Sequence, residues 1–441
     1  MRLSILLHLL FNFISIVYQI DAFSMTLHPI DSPHLQILPK NMTMQERHEI
    51  FINISRARSH HYNRGDNNAS KIGINSIESH LHRPMLSGYF LTQLYFGERK
   101  PPFDPYVIVD LRSDETWIQC SDCHPCFILQ KKFNVDSSPT YNRMTFDDQR
   151  CDTKLRFQGN CGFEWGHKPF KYVGYLGTDT FIFKDTNKKD IYFPNTAFGC
   201  AVRNPVMFKE RHISDVGKVA GVLGLSPGTT RSFITQLDTE IHGRFSICIP
   251  KSEGDTVISF GDDAKIGKDA KKIAMYTKGV YHLYLVTFSV LHVPIGNPFY
   301  FSLDKKNHKR GFFVDPSSPT TQLNIMPFTA LAAGVAVWFA QYEWIPIVTF
   351  PKTKLCYIEE PDGIEQHYPA ISFSFKKARK GLAITYITFP DEIAFRKNSP
   401  LPGFCLNFEV TTGPSVLGAA QMAGKKWLFD VKGESLEFED C

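Results

Sequence analysis

Short runs of alternating apolar and polar residues, separated by Gly, Pro, Asn and Asp, fill the chain from Gly88 onward. Side chains of a β-strand point alternately to the two faces of a sheet, so this pattern is typical of strands joined by turns. The body is therefore predicted to be mostly β, with few helices. The clearest predicted strands cover residues 89–96, 106–110, 181–183 and 371–375, and the clearest helices 232–237 and 327–342.

The first 23 residues differ from this body. Arg2 is followed by an apolar run from Ile5 to Val17, which is the arrangement of a secretory signal. A membrane anchor is the alternative, but the run is short and three polar residues interrupt it. We expect cleavage near Ala22 or Ser24, no other membrane-spanning segment, and a secreted protein.

Residues 24–82 form a second distinct segment, which lacks cysteine and contains all the N-glycosylation sequons, at Asn41, Asn53 and Asn68. Charged and apolar residues alternate with helical spacing over residues 43–58, which predicts a short amphipathic helix. A helical N-terminal segment in a secreted chain is interpreted as a propeptide. The alternative is a flexible extension with no regulatory role.

The 441 residues, 43% hydrophobic and 13% aromatic, are sufficient for two lobes with apolar cores. The net charge of +5 is small and the basic residues are scattered, which argues against binding to nucleic acid or to a membrane surface. The chain contains no phosphate loop, Rossmann glycine pattern or metal-binding helix motif. We expect no cofactor and no metal.

All ten cysteines follow the signal, and an even number in a secreted chain predicts disulfides. The first three are spaced as a zinc site would be, but the oxidising compartment and the lack of a matching second cluster favour cystines. The pairing stays open at this stage. The cysteines are Cys120, Cys123, Cys126, Cys151, Cys161, Cys200, Cys248, Cys356, Cys405 and Cys441.

A weak internal repeat indicates two similar lobes. An apolar run leads into Asp110, and Val222-Leu223-Gly224 follows 112 residues later. A second apolar run leads into Asp315, and Val416-Leu417-Gly418 follows 101 residues later. Each lobe thus offers one aspartate at the end of a strand and a later apolar pair before glycine.

Several longer motifs carry a resemblance, in order along the chain. They include His28-Pro29-Ile30-Asp31-Ser32-Pro33, Thr116-Trp117-Ile118-Gln119-Cys120, Gly174-Tyr175-Leu176-Gly177-Thr178-Asp179-Thr180, Ala220-Gly221-Val222-Leu223-Gly224-Leu225 and Trp427-Leu428-Phe429-Asp430. With the two aspartates, they resemble the pepsin-like aspartic protease family (peptidase A1), in its plant nepenthesin-like branch.

This resemblance implies a bilobal β fold with a substrate cleft between an N-terminal lobe, residues 83–265, and a C-terminal lobe, residues 266–441. It implies cleavage of peptides at acidic pH by a dyad of Asp110 and Asp315, in a monomer found in the apoplast, cell wall or vacuole. Two carboxylates about 3 Å apart share one proton, so one activates water while the other stays protonated.

Both catalytic motifs depart from the family pattern. The family has Asp-Thr-Gly-Ser where this chain reads Asp110-Leu111-Arg112-Ser113, and Asp-Ser-Gly-Thr or Asp-Ser-Gly-Ser where it reads Asp315-Pro316-Ser317-Ser318. Leu111 lacks the hydroxyl that bonds across to the opposite lobe, and Pro316 lacks an N–H. Ser113 and Ser318 keep the final hydroxyl, which is expected to support the aspartates.

The glycine positions are the more serious change. Arg112 is strained if its φ is positive, and its guanidinium favours ionised carboxylates, which removes the shared proton. Ser317 stands at the second glycine position. The flap is altered too, and Trp165 is the candidate aromatic lid, with simple packing as the alternative.

Three functions remain open. The departures favour a protein with impaired or lost peptidase activity, whose cleft binds a peptide, protein or glycan. The alternative is an active aspartic endopeptidase that uses Asp110, Asp315 and an activated water. A structural wall or storage glycoprotein is the third.

Overall fold

The computed structural model describes most of the two lobes and the N-terminal segment. The residues described are 22–39, 41–63, 89–98, 100–124, 126, 132–165, 172–185, 187–203, 218–251, 254–295, 298–304, 310–344, 346–347, 355–358, 368–376, 384–389, 395–397 and 403–441. The signal up to residue 21 and the sequon at Asn68 lie outside them.

Strands dominate the N-terminal half, as the alternation of apolar and polar residues predicts. They are β1 (Ala22–Pro29), β2 (Phe90–Gln93), β3 (Tyr95–Phe96), β4 (Tyr106–Asp110), β5 (Trp117–Gln119), β6 (Asn142–Arg143), β7 (Arg156–Phe157), β8 (Asn160–Trp165), β9 (Tyr172–Lys184), β10 (Asp190–Arg203), β11 (Val219–Gly224), β12 (Arg244–Ile249) and β13 (Thr256–Gly261).

The C-terminal half repeats this design. Its strands are β14 (Lys271–Tyr276), β15 (His282–Leu283), β16 (Leu285–Val290), β17 (Val293–Ile295), β18 (Phe312–Val314), β19 (Gln322–Asn324), β20 (Pro346–Ile347), β21 (Cys356–Ile358), β22 (Ile371–Lys376), β23 (Ile384–Phe389), β24 (Phe395–Lys397), β25 (Gly403–Leu406), β26 (Glu409–Thr411), β27 (Ser415–Leu417), β28 (Lys425–Asp430) and β29 (Ser435–Asp440).

Helices are few, and the three that the sequence predicts are present, whereas two short ones, at residues 238–241 and 419–422, were not predicted. Those of the described residues are α1 (Met44–Asn63), α2 (Phe233–Gln236), α3 (Asp238–Ile241), α4 (Ile325–Ala340) and α5 (Ala419–Met422). None of them is long and apolar enough to cross a membrane.

A capping box begins α1. The backbone N–H of Thr43 donates to Glu46 Oε2 (2.8 Å), and the N–H of Glu46 donates to Thr43 Oγ1 (3.2 Å). This reciprocal pair satisfies donors that a helix start leaves free, so the local sequence fixes where the helix begins.

The internal repeat corresponds to one parallel strand pair in each lobe. β4 pairs in parallel with β11, so that Asp110 lies opposite Gly224. β18 pairs in parallel with β27, so that Val314 lies opposite Leu417. Each aspartate therefore comes at the end of a central strand whose neighbour ends in the apolar-apolar-glycine motif.

The two lobes are joined by strands from the C-terminus. β28 pairs with β12 of the N-terminal half, and β29 pairs with β14. The sheet thus continues across the boundary expected near residue 265, and Trp427 is fully buried where it does so.

The N-terminal segment is part of the folded body. β1 pairs along its length with β13 and at its end with β2. Phe23 stacks on Phe183 and Phe260, with ring centroids 4.4 and 4.7 Å apart, and Leu27 is fully buried. A segment that differs in composition from the lobes is therefore packed into the N-terminal core.

All ten cysteines form disulfides within the chain: Cys120–Cys200, Cys123–Cys126, Cys151–Cys161, Cys248–Cys441 and Cys356–Cys405. The three cysteines with zinc-like spacing are thus cystines. Among the described residues, no group of His, Cys, Asp and Glu is arranged to hold a metal ion.

Candidate active site

The two aspartates end their strands in equivalent, buried positions. Asp110 is 2% exposed and Asp315 is 1% exposed. The carbonyl of Asp110 accepts from the N–H of Leu225 (2.8 Å), and the N–H of Asp315 donates to the carbonyl of Leu417 (2.9 Å). Backbone bonds to the neighbouring strand therefore position both residues.

The loop after each aspartate folds back on its carboxylate. The N–H of Arg112 donates to Asp110 Oδ1 (2.8 Å), and the N–H of Ser317 donates to Asp315 Oδ1 (3.1 Å). Each carboxylate thus receives a backbone donor from the residue two places on, at the position where the family has glycine.

Neither of these replacements strains the backbone. Arg112 and Ser317 do not have a positive φ, so neither needs the freedom of glycine. Strain was expected at Arg112 only if its φ were positive. That condition is not met, because the loop uses backbone conformations that any residue can adopt.

The final hydroxyls also match between lobes. Ser113 Oγ donates to the carbonyl of Glu115 (2.9 Å), and Ser318 Oγ donates to the carbonyl of Thr320 (2.9 Å). These bonds close the two loops on themselves, and so stabilise the turns that carry the aspartates.

The repeat glycines are required by close packing. A Cβ on Gly224 would lie 2.5 Å from the carbonyl oxygen of Glu115, and one on Gly418 would lie 2.3 Å from that of Thr320. Each glycine therefore lets its strand approach the loop of the neighbouring aspartate.

The cross-lobe bond comes from an unexpected residue. Leu111 is buried in the apolar core, and Pro316 is buried as well, so neither supplies a hydroxyl. Instead, Ser317 Oγ donates to the carbonyl of Val109, next to Asp110 in the other lobe. The sequence predicted only a loss here, whereas Ser317 provides a bond between the lobes at the dyad.

Arg58 of α1 lies between the two aspartates. Its Nη2 donates to Asp110 Oδ1 (2.7 Å) and to Asp315 Oδ2 (2.8 Å), and its Nε donates to Asp315 Oδ2 (3.0 Å). Its side chain is 2% exposed. One guanidinium therefore bonds both carboxylates and lies between them.

Burial is the largest cause that raises the pKa of Asp315 above its ordinary value. The Asp110 carboxylate acts in the same direction, while Arg58 and Arg112 lower this pKa. Arg58 thus opposes protonation of Asp315, whereas burial and the Asp110 carboxylate favour it.

The Arg112 side chain contacts Phe313, two residues before Asp315. Its guanidinium carbon lies 5.4 Å from the centroid of the Phe313 ring, in a cation–π contact. It still lowers the pKa of Asp315. Arg112 thus acts on the dyad from the side.

Replacing Arg112 with Gly is expected to raise the pKa of Asp315, because a nearby positive charge is removed. The deprotonation that ends activity on the alkaline side should then occur at higher pH. The pH profile of kcat/KM for the wild-type and variant proteins tests this. An unchanged or acid-shifted alkaline limb would contradict it.

The remaining predicted residues fall in different places. Trp165 ends β8 and pairs with Tyr172, but the flap residues after it lie outside the described part of the chain. Asn41 and Asn53 are exposed, as glycosylation would require.

Comparison with known proteins now defines the family. The Xylanase inhibitor N-terminal model matches residues 90–262, and the Xylanase inhibitor C-terminal model matches residues 280–440. A probable aspartic protease of Arabidopsis thaliana is 24% identical over 452 residues, covering 95% of this chain and 94% of the relative. The chain belongs to the plant pepsin-like aspartic protease family.

Other members of this family align over less of their length. The Aspartyl protease AED1 of Arabidopsis thaliana is 25% identical, covering 74% of this chain and 68% of the relative. Among solved structures, soybean Basic 7S globulin superposes with a TM-score of 0.59 at 18% identity, covering 79% of this chain and 92% of the globulin. Conglutin gamma from lupine seeds gives the same TM-score and identity, with 91% of that chain covered. These structures confirm the bilobal β fold.

Arg58 and Ser317 are the site residues whose roles sequence reasoning missed. The helix carrying Arg58 was predicted, and the basic residues of that helix, in a chain with two candidate catalytic aspartates, were the available signal. Ser317 was read only as a lost glycine, because its contact with Val109 joins residues 208 positions apart.

Proposed function

We propose that this protein is a secreted precursor of an aspartic endopeptidase, which hydrolyses proteins at acidic pH through Asp110 and Asp315. The observation that carries the proposal is the single guanidinium of Arg58 bonded to both carboxylates. Because both carboxylates contact the same nitrogen, they face each other across the site, as a dyad that shares one proton requires. The N–H groups of Arg112 and Ser317 support that arrangement.

Peptide hydrolysis can proceed once Arg58 has left the two carboxylates. Like charges this close do not both ionise easily, so the pair keeps one proton. The ionised carboxylate takes a proton from water, and the water oxygen forms a bond to the peptide carbonyl carbon. The protonated carboxyl stabilises the developing oxyanion by hydrogen bonding. Transfer of a proton to the amine accompanies cleavage of the C–N bond.

The N-terminal segment, residues 22–63, acts in this proposal as an inhibitory prosegment. Arg58 fills the place of the reacting groups, while Ser55 Oγ accepts from the N–H of Thr320 (3.0 Å) and Ser59 Oγ shares a hydrogen bond with Thr411 Oγ1 (2.6 Å). Substrate and α1 cannot occupy this part of the cleft together.

Acid weakens the contact that Arg58 makes. Its attraction is greatest when both carboxylates are ionised, and it falls as the pH drops and Asp315 takes up a proton, since a neutral carboxyl attracts a cation less. Because Arg58 lowers the pKa of Asp315, protonation and the Arg58 contact oppose each other. Acidification therefore favours release of the segment.

The test is digestion of denatured globin between about pH 3 and pH 6, after acid incubation, with and without pepstatin. We expect pepstatin-sensitive cleavage that Asp110→Asn abolishes. Cleavage that persists in this variant would exclude catalysis by the dyad. If the processed, folded protein cleaves no globin, the proposed enzymatic function is refuted.

A non-catalytic binding protein is the second candidate. Arg112 favours it, because a cation near Asp315 opposes retention of the shared proton. In that case the processed protein would bind a peptide, protein or glycan in the cleft and leave it uncut. Pepstatin binding without globin cleavage would support this function.

A further inference from the structure

Glu409 is a buried acidic residue of the C-terminal lobe that faces α1. It begins β26, which pairs in parallel with β19, and it is 2% exposed. Successive side chains of a strand point to opposite faces. Glu409 and Thr411 accordingly contact α1, whereas Val410 packs against the apolar core.

Basic side chains of α1 surround this carboxylate. Arg56 Nη2 lies 3.5 Å from Glu409 Oε2, and His48 Nε2 lies 4.0 Å from Glu409 Oε1. The neighbouring pair of Ser59 and Thr411 fixes the helix against the same strand. The inhibitory segment therefore presents positive charge to Glu409 as well as to the dyad.

We infer that Glu409 forms a substrate subsite for a basic side chain, which gives the enzyme a preference for Arg or Lys near the cleaved bond. This inference rests on the proposed function. A carboxylate buried in a protein needs a charged or hydrogen-bonding partner. When α1 leaves, Arg56 and His48 leave with it, and a basic side chain of the substrate replaces them.

The position of this subsite follows from the contacts between α1 and β26. Ser59, next to Arg58, contacts Thr411, and Glu409 lies two residues before Thr411 on the same face of the strand, about 7 Å away at about 3.4 Å per residue. An extended peptide advances about 3.3 Å per residue. Because Arg58 marks the dyad, the basic residue of the substrate should lie within about three positions of the cleaved bond.

The experiment uses processed protein and short peptides that carry either Arg or citrulline at one position at a time. Citrulline keeps the shape of Arg without its charge. At about pH 5.5 we expect a kcat/KM ratio of about ten in favour of Arg at one position near the cleaved bond. Glu409→Gln should bring this ratio to about one.

Glu437→Gln is the matched control, because Glu437 of β29 forms an ion pair with Lys272 of β14 and not with α1. It should keep the Arg preference. Equal cleavage of Arg and citrulline peptides at every position by wild-type protein would overturn the inference. So would a preference that Glu409→Gln retains.

Failure of the proposed function is recognised separately. If the wild-type protein cleaves no peptide, the proposed enzyme fails, but binding of the same peptides to the processed protein still tests Glu409. Tighter binding of the Arg peptide, lost in a Glu409→Gln variant with an unchanged melting temperature, would support the subsite. Equal binding of both peptides would overturn it.

Discussion

Replacing Arg58 with Ala is expected to release the active site of the uncleaved precursor. The change leaves two buried carboxylates without their shared cation, and breaking a buried ion pair in this way costs about 3 to 5 kcal/mol. A loss of about 3 kcal/mol lowers the ratio of closed to open precursor by more than a hundredfold. The variant should therefore bind pepstatin at neutral pH, where the wild-type precursor does not.

Two matched variants test whether the effect of Arg58→Ala comes from the loss of its contacts with both carboxylates. Arg58→Lys keeps the charge but not the forked guanidinium, so its precursor should be intermediate. Glu49→Ala changes an exposed residue of the same helix and should leave latency unchanged. Pepstatin affinity and limited proteolysis of α1 measure how far α1 has left the two aspartates. If the Arg58→Ala precursor excludes pepstatin as well as wild type does, the prosegment is not held through the dyad.

The second large effect is expected at Ser317. Ser317→Ala removes the hydroxyl that bonds the carbonyl of Val109, next to Asp110 in the opposite lobe. Loss of one such bond costs about 1 kcal/mol of unfolding free energy. A small displacement between reacting groups reduces catalysis much more, and we expect kcat to fall at least tenfold with KM nearly unchanged.

Conservative replacement separates positioning from simple stability. Ser317→Thr keeps a hydroxyl and should retain most of kcat. Ser372→Ala removes a hydroxyl that bonds Thr388 elsewhere in the same lobe, so it should leave kcat unchanged. A Ser317→Ala enzyme that keeps its kcat, or loses only substrate affinity, would show that the cross-lobe bond does not position the dyad.

The sequence predicted the fold because the fold depends on patterns that are local and repeated. Alternating strands, the capping box near Thr43 and the two apolar-apolar-glycine motifs each have a local physical cause. The pairing of Asp110 with Gly224 then follows from the repeat. The disulfide pairing did not follow, because it depends on which distant strands meet.

The chemistry of the site was harder to predict, because it depends on contacts between distant segments. Arg112 was expected to dominate the dyad, yet its side chain lies over Phe313. Arg58 took that position from a segment whose role the sequence left open. A charged residue next to a catalytic motif shows that it can change the pKa of the aspartates. The direction in which its long side chain points depends on packing, which the motif does not reveal.

The position of β1 determines what processing leaves behind. A cut between residues 64 and 88 would separate α1 from the lobes covalently, but β1 would remain paired with β13. Its buried Phe23, Met25 and Leu27 contribute about 6 kcal/mol of apolar burial, at about 2 kcal/mol each. The severed segment would then behave as a tightly bound subunit, and its dissociation, in addition to cleavage, would set the rate at which activity appears.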